Sequence, residues 1–195
     1  MSLWLVRHGE TEWSKSGRHT GWTDVPLLTE GRAQALSDGE WLRRAVPAPA
    51  LVLTSPLSRA AETCRLAGFG EGAERCDDLK EWDYGEYDGL TTDEIRAGRP
   101  GWSIWADGVV GGESAADVGR RADRVIERAL GAGGDVVLFS HGHLLRVLAA
   151  RWVGLPPVGG RVLALGAGGV CELGWERETR VISRWNVVVG EPQGP

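Results

Sequence analysis

Three short apolar runs punctuate the chain, and each ends on polar residues with useful chemistry. Residues 3–6 run into Arg7-His8-Gly9, residues 51–53 into Thr54-Ser55-Pro56, and residues 136–139 into Ser140-His141-Gly142. None alternates apolar with polar, the pattern of strands covered on both faces in α/β sheets. Helical periodicity follows two of them. Leu57, Ala60, Ala61 and Cys64 lie at helical spacing, with Ser55 expected as the N-cap and Pro56 at the first helical position. Leu144, Leu145, Leu148 and Trp152 repeat that spacing after the third run. A longer amphipathic helix is predicted from residue 114 to about 130. Its stripe is Val118, Ala122, Val125 and Ala129, and Ser114 with Asp117 has the look of a capping box. Residues 45–50 read as a loop ahead of a strand, and Pro156-Pro157 marks a break. Residues 169–175 and 180–188 read as two strands around the polar turn 176–179. Strands interleaved with helices predict a layered α/β fold. The chain has 195 residues without internal repeat, low-complexity block or charge run, which suits one domain over residues 1–195.

Composition narrows the function classes. With 42% hydrophobic and 25% charged residues the chain is not of the disordered type. No stretch approaches the roughly 20 apolar residues of a membrane span. A net charge of −5 argues against whole-chain attraction to nucleic acid or anionic membrane. Among the basic residues only Lys15 and Lys80 are lysine, and arginine forks suit phosphate. Ten tryptophans point to large core pieces or cleft walls. Residues 1–10 carry no basic start and only a short apolar run, so no export signal is expected. Cys64, Cys76 and Cys171 cannot all pair within the chain and are read as reduced thiols in a cytoplasm.

The reactive residues gather by position. His8 and His141 each follow the C-terminal end of a predicted strand, and Arg59 falls in the first turn of the helix after another. In open α/β sheets the ligand crevice lies at those strand ends. Two histidines with Arg7 and Arg59 would make a phosphate pocket, helped by the N–H groups of a helix N-terminus. One Arg-His-Gly tripeptide or one helix arginine carries little alone; the joint pattern carries the inference.

The pattern resembles the histidine phosphatase superfamily, the phosphoglycerate mutases and their phosphatase relatives. LVRHGETEW at residues 5–13 is similar to its N-terminal motif. The resemblance continues through GRHTGWTDVPL at 17–27, TSPLSRAAET at 54–63, LKEWDYGEYDG at 79–89, GGES at 111–114 and FSHGH at 139–143. It covers most of the chain to about residue 155. It implies a phosphoglycerate mutase-like fold, a three-layer αβα sandwich around a mostly parallel central sheet. It implies His8 as the nucleophile that becomes a phosphohistidine, with Arg7, Arg59 and His141 holding the phosphoryl oxygens. Glu81 would be the general acid that protonates the leaving oxygen. Such a carboxyl must itself hold a proton, a state favoured by burial or by a dianionic substrate. Where many relatives carry Asn, this chain has Ser14, a shorter donor that remains a substrate-binding candidate. Thr20, Gly21 and Gly142 complete the expected binding residues. The spacing His141-x-His143 also occurs in metal sites. Without an HxxxH or CxxC pair, no metal and no other cofactor is expected, and His143 is read as a pocket-wall residue.

Within the family the stretch 90–113 is short and mostly apolar after Arg96 and Arg99. The mutases have a longer insertion there, rich in arginine and lysine, so the resemblance favours a phosphatase over a mutase. TEWSKSG, HTGWTDVPL and EWDYGEYDGL, with the tryptophan-rich run at 102–108, are most similar to sedoheptulose-bisphosphatase-like enzymes and related acid phosphatases. The implied partner is a small phosphorylated molecule, a sugar phosphate or bisphosphate, with Trp22, Trp82, Trp102 and Trp105 either against the sugar or in the core. An inactive phospho-ligand-binding domain is the third reading, and all five core residues being present stands against it. Homodimerisation through the C-terminal strands stays open.

Overall fold

The computed structural model describes residues 1–189. Six strands form one sheet: β1 (Leu3–Arg7), β2 (Leu51–Thr54), β3 (Glu74–Arg75), β4 (Val136–Ser140), β5 (Val170–Glu176) and β6 (Thr179–Val187). Their spatial order is β3-β2-β4-β1-β5-β6. β1, β2, β3 and β4 pair in parallel, while β5 and β6 add on antiparallel. The helices are α1 (Glu12–Lys15), α2 (Thr29–Ala45), α3 (Ser58–Leu66), α4 (Thr92–Gly98), α5 (Ile104–Asp107), α6 (Ala115–Leu130) and α7 (Gly142–Trp152).

The apolar runs lack alternation because both sheet faces are covered. Leu3 and Leu5 of β1, with Val136 and Leu138 of β4, pack with the buried stripes of α6 and α7. Their neighbours Trp4, Val6, Val137 and Phe139 turn to the other face, against Leu42 of α2 and Cys64 of α3. These are the three layers of the expected αβα sandwich. After β1 the chain leaves toward the α2 face, and after the adjacent β4 it leaves toward the α7 face. That divergence opens a crevice at the carboxyl ends of β1 and β4, where Arg7 sits opposite Ser140 in the ladder.

The predicted α6 cap is present: the Ser114 side chain accepts from Asp117 N–H, and Asp117 reaches back to the cap. The expected start of α3 fails. Ser55 does not cap it and Pro56 is not its first residue; the helix starts at Ser58, with Leu57 at the cap position. The Ser55 hydroxyl instead lies 2.8 Å from Nε2 of His141, which draws it out of capping geometry. The 17-residue helix α2 carries no strong apolar stripe, and its pattern did not announce it. Its buried face includes glycines because backbones meet there. A Cβ on Gly31 would lie 2.2 Å from the Glu10 carbonyl oxygen, and one on Gly9 the same distance from that of Gly31. No helix among the described residues is long and apolar enough to cross a membrane.

Candidate active site

His8 follows β1 directly and is buried. Its Nδ1 lies 2.8 Å from the carbonyl oxygen of Gly9. A carbonyl only accepts, so Nδ1 carries the proton and Nε2 keeps its lone pair. The backbone around it is fixed from the C-terminal side of the chain. Gly168 N–H donates to the His8 carbonyl (3.0 Å), and Arg7 N–H donates to Gly169 (3.1 Å). Burial, then the charges of Arg59 and Arg7, hold the His8 imidazolium form well below its usual range. The ring is therefore neutral under ordinary conditions, with a free lone pair on Nε2.

His141 caps α7 at the end of β4 and is fully buried. Its ring stands edge-on to His8 with centroids 5.2 Å apart. Ser55 Oγ accepts from Leu57 N–H and lies 2.8 Å from Nε2; its proton has no other acceptor among the described residues, so it donates to Nε2 and leaves Nδ1 as an N–H donor. Burial, then Arg59, His8 and Arg7, push this histidine down as well.

Arg59, in the first turn of α3, has no exposed surface. It donates to the carbonyls of Thr23 (3.0 Å), Thr20 (3.2 Å) and Gly21 (2.7 Å). Arg7 donates to the Leu165 carbonyl at 2.5 Å, and Gly142 backs its guanidinium, a Cβ there meeting Cζ at 3.4 Å. Three nitrogens of this group are buried without a partner: Arg7 Nε, Arg59 Nε and His141 Nδ1. Buried donors are nearly always paired in proteins, so three orphans beside one imidazole mark a site shaped for an oxygen-rich anion.

Glu81 reaches the crevice from the segment after the 3₁₀ turn Asp77–Leu79. Its Oε1 accepts from Trp82 N–H (2.9 Å) and Leu144 N–H (2.9 Å), and Oε2 accepts from His143 N–H (3.0 Å). Two of those donors belong to the first turn of α7. Arg121 of α6 braces this segment. It forks onto Glu113 (2.7 and 2.6 Å) and donates to the carbonyls of Asp78 (2.8 Å), Lys80 (2.8 Å) and Glu81 (3.3 Å). The GGES stretch thus acts through Glu113, which holds the arginine that holds the Glu81 backbone.

Among the expected residues, Arg7, His8, Ser14, Thr20, Glu81 and Gly142 line one cavity of about 200 Å³. That is smaller than the roughly 300–1,000 Å³ of drug-sized sites and suits a small metabolite. Arg59 and His141 lie sealed beneath it. Gly21 does not line it; its carbonyl anchors Arg59, and its N–H donates to Asp88. Ser14 lines the wall, but its hydroxyl is engaged in the α1 capping box, accepting from Thr11 N–H (2.8 Å) and donating to Thr11 C=O (3.0 Å). None of Trp22, Trp82, Trp102 and Trp105 lines the cavity; Trp82 and Trp102 are core. Sequence reasoning missed Arg18, His19, Tyr84, Arg146 and Leu165 on its wall, and His143 sits there as expected. Among the described residues no group of three or more His, Cys, Asp or Glu side chains is placed to hold a metal ion.

The family model of the histidine phosphatase superfamily (branch 1) matches residues 3–188. The chain belongs to this superfamily. It is 41% identical to an acid phosphatase of Mycobacterium tuberculosis over 98% of this chain and 94% of that protein. It is 38% identical to sedoheptulose 1,7-bisphosphatase of Saccharomyces cerevisiae over 77% of this chain and 67% of that one. The solved structure of an open reading frame product from Mycobacterium tuberculosis superposes with a TM-score of 0.91 at 39% identity, covering 96% of this chain and 97% of that one. The superfamily assignment agrees with the motif resemblance and with the mostly parallel six-stranded sheet.

Proposed function

We propose that this chain is a single histidine phosphatase domain that hydrolyses small phosphomonoesters, sugar phosphates or bisphosphates among them, through a phosphohistidine on His8. One observation carries the reading. The free Nε2 belongs to a neutral His8 that borders the cavity, and three unpaired buried nitrogens, on Arg7, Arg59 and His141, lie beside and beneath it. In the first step Nε2 attacks phosphorus and the bond from phosphorus to the ester oxygen breaks. Glu81 gives that oxygen its proton. In the second step water attacks the phosphohistidine, Glu81 takes back a proton, and phosphate leaves with the P–N bond broken. Arg7, Arg59 and His141 hold the equatorial oxygens, since phosphoryl transfer depends on positioning and charge. Ser14, Thr20 and Gly142 shape the binding wall, and Gly21 acts from beneath it by anchoring Arg59. No metal or other cofactor takes part, so turnover survives a chelator.

The relatives named acid phosphatase and sedoheptulose bisphosphatase support hydrolysis of phosphorylated small molecules. The test is turnover of p-nitrophenyl phosphate with rapid quench and mapping of the phosphorylated side chain. Phosphate release with label on His8 supports the reading, and label elsewhere overturns it. A mutase would interconvert phosphoglycerates in the presence of bisphosphoglycerate without releasing phosphate. An inactive binding domain would give neither result. A cytoplasmic location, with neither nucleic acid nor membrane as partner, is proposed alongside this reading. The outer edge of β6 is the surface proposed for a homodimer, which sedimentation equilibrium checks.

A further inference from the structure

The segment ahead of β5 reaches the active site at three points. The Leu165 carbonyl accepts from Arg7 Nη1 (2.5 Å), the Gly169 carbonyl accepts from Arg7 N–H (3.1 Å), and Gly168 N–H donates to the His8 carbonyl (3.0 Å). Residues 164–169 thus hold both the Arg7 guanidinium and the backbone that carries His8. Gly166, Gly168 and Gly169 make up half of this segment, so its shape has to be imposed from outside.

Strand β6 imposes it. In the β5–β6 ladder Val170 faces Val187 and Glu172 faces Arg184, so Cys171 stands opposite two residues, Trp185 and Asn186. Such a bulge bends the strand and re-aims side chains. Here Trp185 Nε1 donates to the Ala164 carbonyl (2.5 Å), and Asn186 Oδ1 accepts from Gly166 N–H (2.8 Å). The two bonds bracket Leu165, the residue whose carbonyl holds Arg7. Asn186 also has a left-handed backbone, with φ at 55°. Among the described residues the other non-glycine with positive φ is Arg177, which lies in the turn between β5 and β6. No turn accounts for Asn186, near the end of β6, and asparagine is among the few residues that adopt this conformation readily. Its amide oxygen occupies the space that a side chain at residue 169 would need: a Cβ on Gly169 would lie 2.6 Å from it.

We propose that Asn186, with Trp185 beside it, is a positioning residue for Arg7. It holds the 164–169 segment so that the Leu165 carbonyl takes Nη1 and Nε stays unpaired for a phosphoryl oxygen. This rests on the phosphatase reading above. It gives the C-terminal hairpin, which lies beyond the sequence motifs, a part in the chemistry.

The test is a double-mutant cycle with Arg7→Lys, read in kcat/KM for p-nitrophenyl phosphate and in inhibition by vanadate. Asn186→Gly removes the amide and leaves the left-handed backbone unstrained. In the wild-type background it lowers kcat/KM about tenfold and weakens vanadate inhibition in parallel, the scale of a small misplacement of a binding group. Asn186→Asp keeps an acceptor oxygen and tolerates the same backbone, so it restores most of the loss. Trp185→Phe, which keeps a ring without the N–H, lowers kcat/KM in the same sense. In the Arg7→Lys background Asn186→Gly costs no more than about twofold, because the group it serves is gone. An equal fall in both backgrounds, no fall in the first, or Asn186→Asp as impaired as Asn186→Gly overturns the proposal while the phosphatase reading stands. A wild type that neither turns over p-nitrophenyl phosphate nor takes label on His8 removes the phosphatase reading and this inference with it.

Discussion

His8 and His141 meet edge to face, 5.2 Å between ring centroids, at the carboxyl ends of two neighbouring parallel strands. Each has one nitrogen occupied, by the Gly9 carbonyl and the Ser55 hydroxyl respectively, and one left over. For His8 the spare nitrogen is a lone pair; for His141 it is a buried donor. Two chemically identical rings thus take opposite roles because their fixed partners differ. His8→Ala is expected to lower kcat on the order of 10⁴-fold with p-nitrophenyl phosphate, since the nucleophile has no substitute. Steady-state kinetics with a folded-state check by circular dichroism tests this.

The same burial sets a pH dependence. His8, His141 and His143 all sit well below the usual value of 6.5, burial being the largest cause for each. A depressed folded value keeps the ring neutral as pH falls past 6.5, so kcat/KM should not drop through that region. The linkage has the matching sign. Stability is fully present above the unfolded value near 6.5 and is lost as pH falls below it toward the folded values. A kcat/KM profile with an acidic limb centred near 6.5 that disappears in a His141 or His143 variant would contradict the assignment.

Glu81 is bonded on both oxygens and braced by Arg121, so its chemistry separates from its scaffold. Glu81→Gln keeps acceptor capacity on one atom but has no proton to give. It is expected to cost about 10²–10⁴-fold in kcat for a sugar phosphate, whose alkoxide leaves poorly. The loss with p-nitrophenyl phosphate, a better leaving group, is expected to be smaller. Equal losses on the two esters would remove Glu81 from the acid role.

Arg59→Met removes a buried guanidinium that ties three carbonyls and keeps Nε unpaired beneath the pocket. Electrostatic groups of this kind are worth about 10²–10³-fold in kcat. Inhibition by vanadate, which mimics five-coordinate phosphorus, should weaken in parallel. Unchanged vanadate inhibition in this variant would place Arg59 outside the phosphoryl cradle.

Asp38 of α2 gives a prediction remote from catalysis. It is buried, its Oδ2 has no partner, and burial raises its pKa from 3.8 to about 7. A raised folded value means that stability is full below 3.8 and is lost as pH rises toward about 7. At about 1.4 kcal/mol per pKa unit the ceiling is roughly 4 kcal/mol. Asp38→Asn should therefore raise the midpoint of thermal unfolding at pH 8 and leave it nearly unchanged at pH 4. A variant less stable than wild type at pH 8 would show that the carboxylate has a partner in solution.

The chain by itself determined five of the six strands, the two-residue β3 being unannounced, together with the long α6 helix and its cap and the residue types proposed for the chemistry. Those are local matters: apolar runs, a 3.6-residue period and motifs a few residues long. Helix α2 escaped because Gly31 and Gly39 on its buried face pack backbone to backbone, against Glu10 and Ala67, and leave no apolar stripe to read. Tertiary structure alone decided which nitrogens stay unpaired, that Ser55 serves His141 and not a helix end, that Ser14 spends its hydroxyl on Thr11, and that Arg146 faces the cavity. Each depends on residues brought together by sheet order and helix packing. Glu81 and Leu144, for example, lie 63 positions apart along the chain. Sequence patterns carry the spacing of near neighbours; they do not encode which distant donor will find its acceptor already taken.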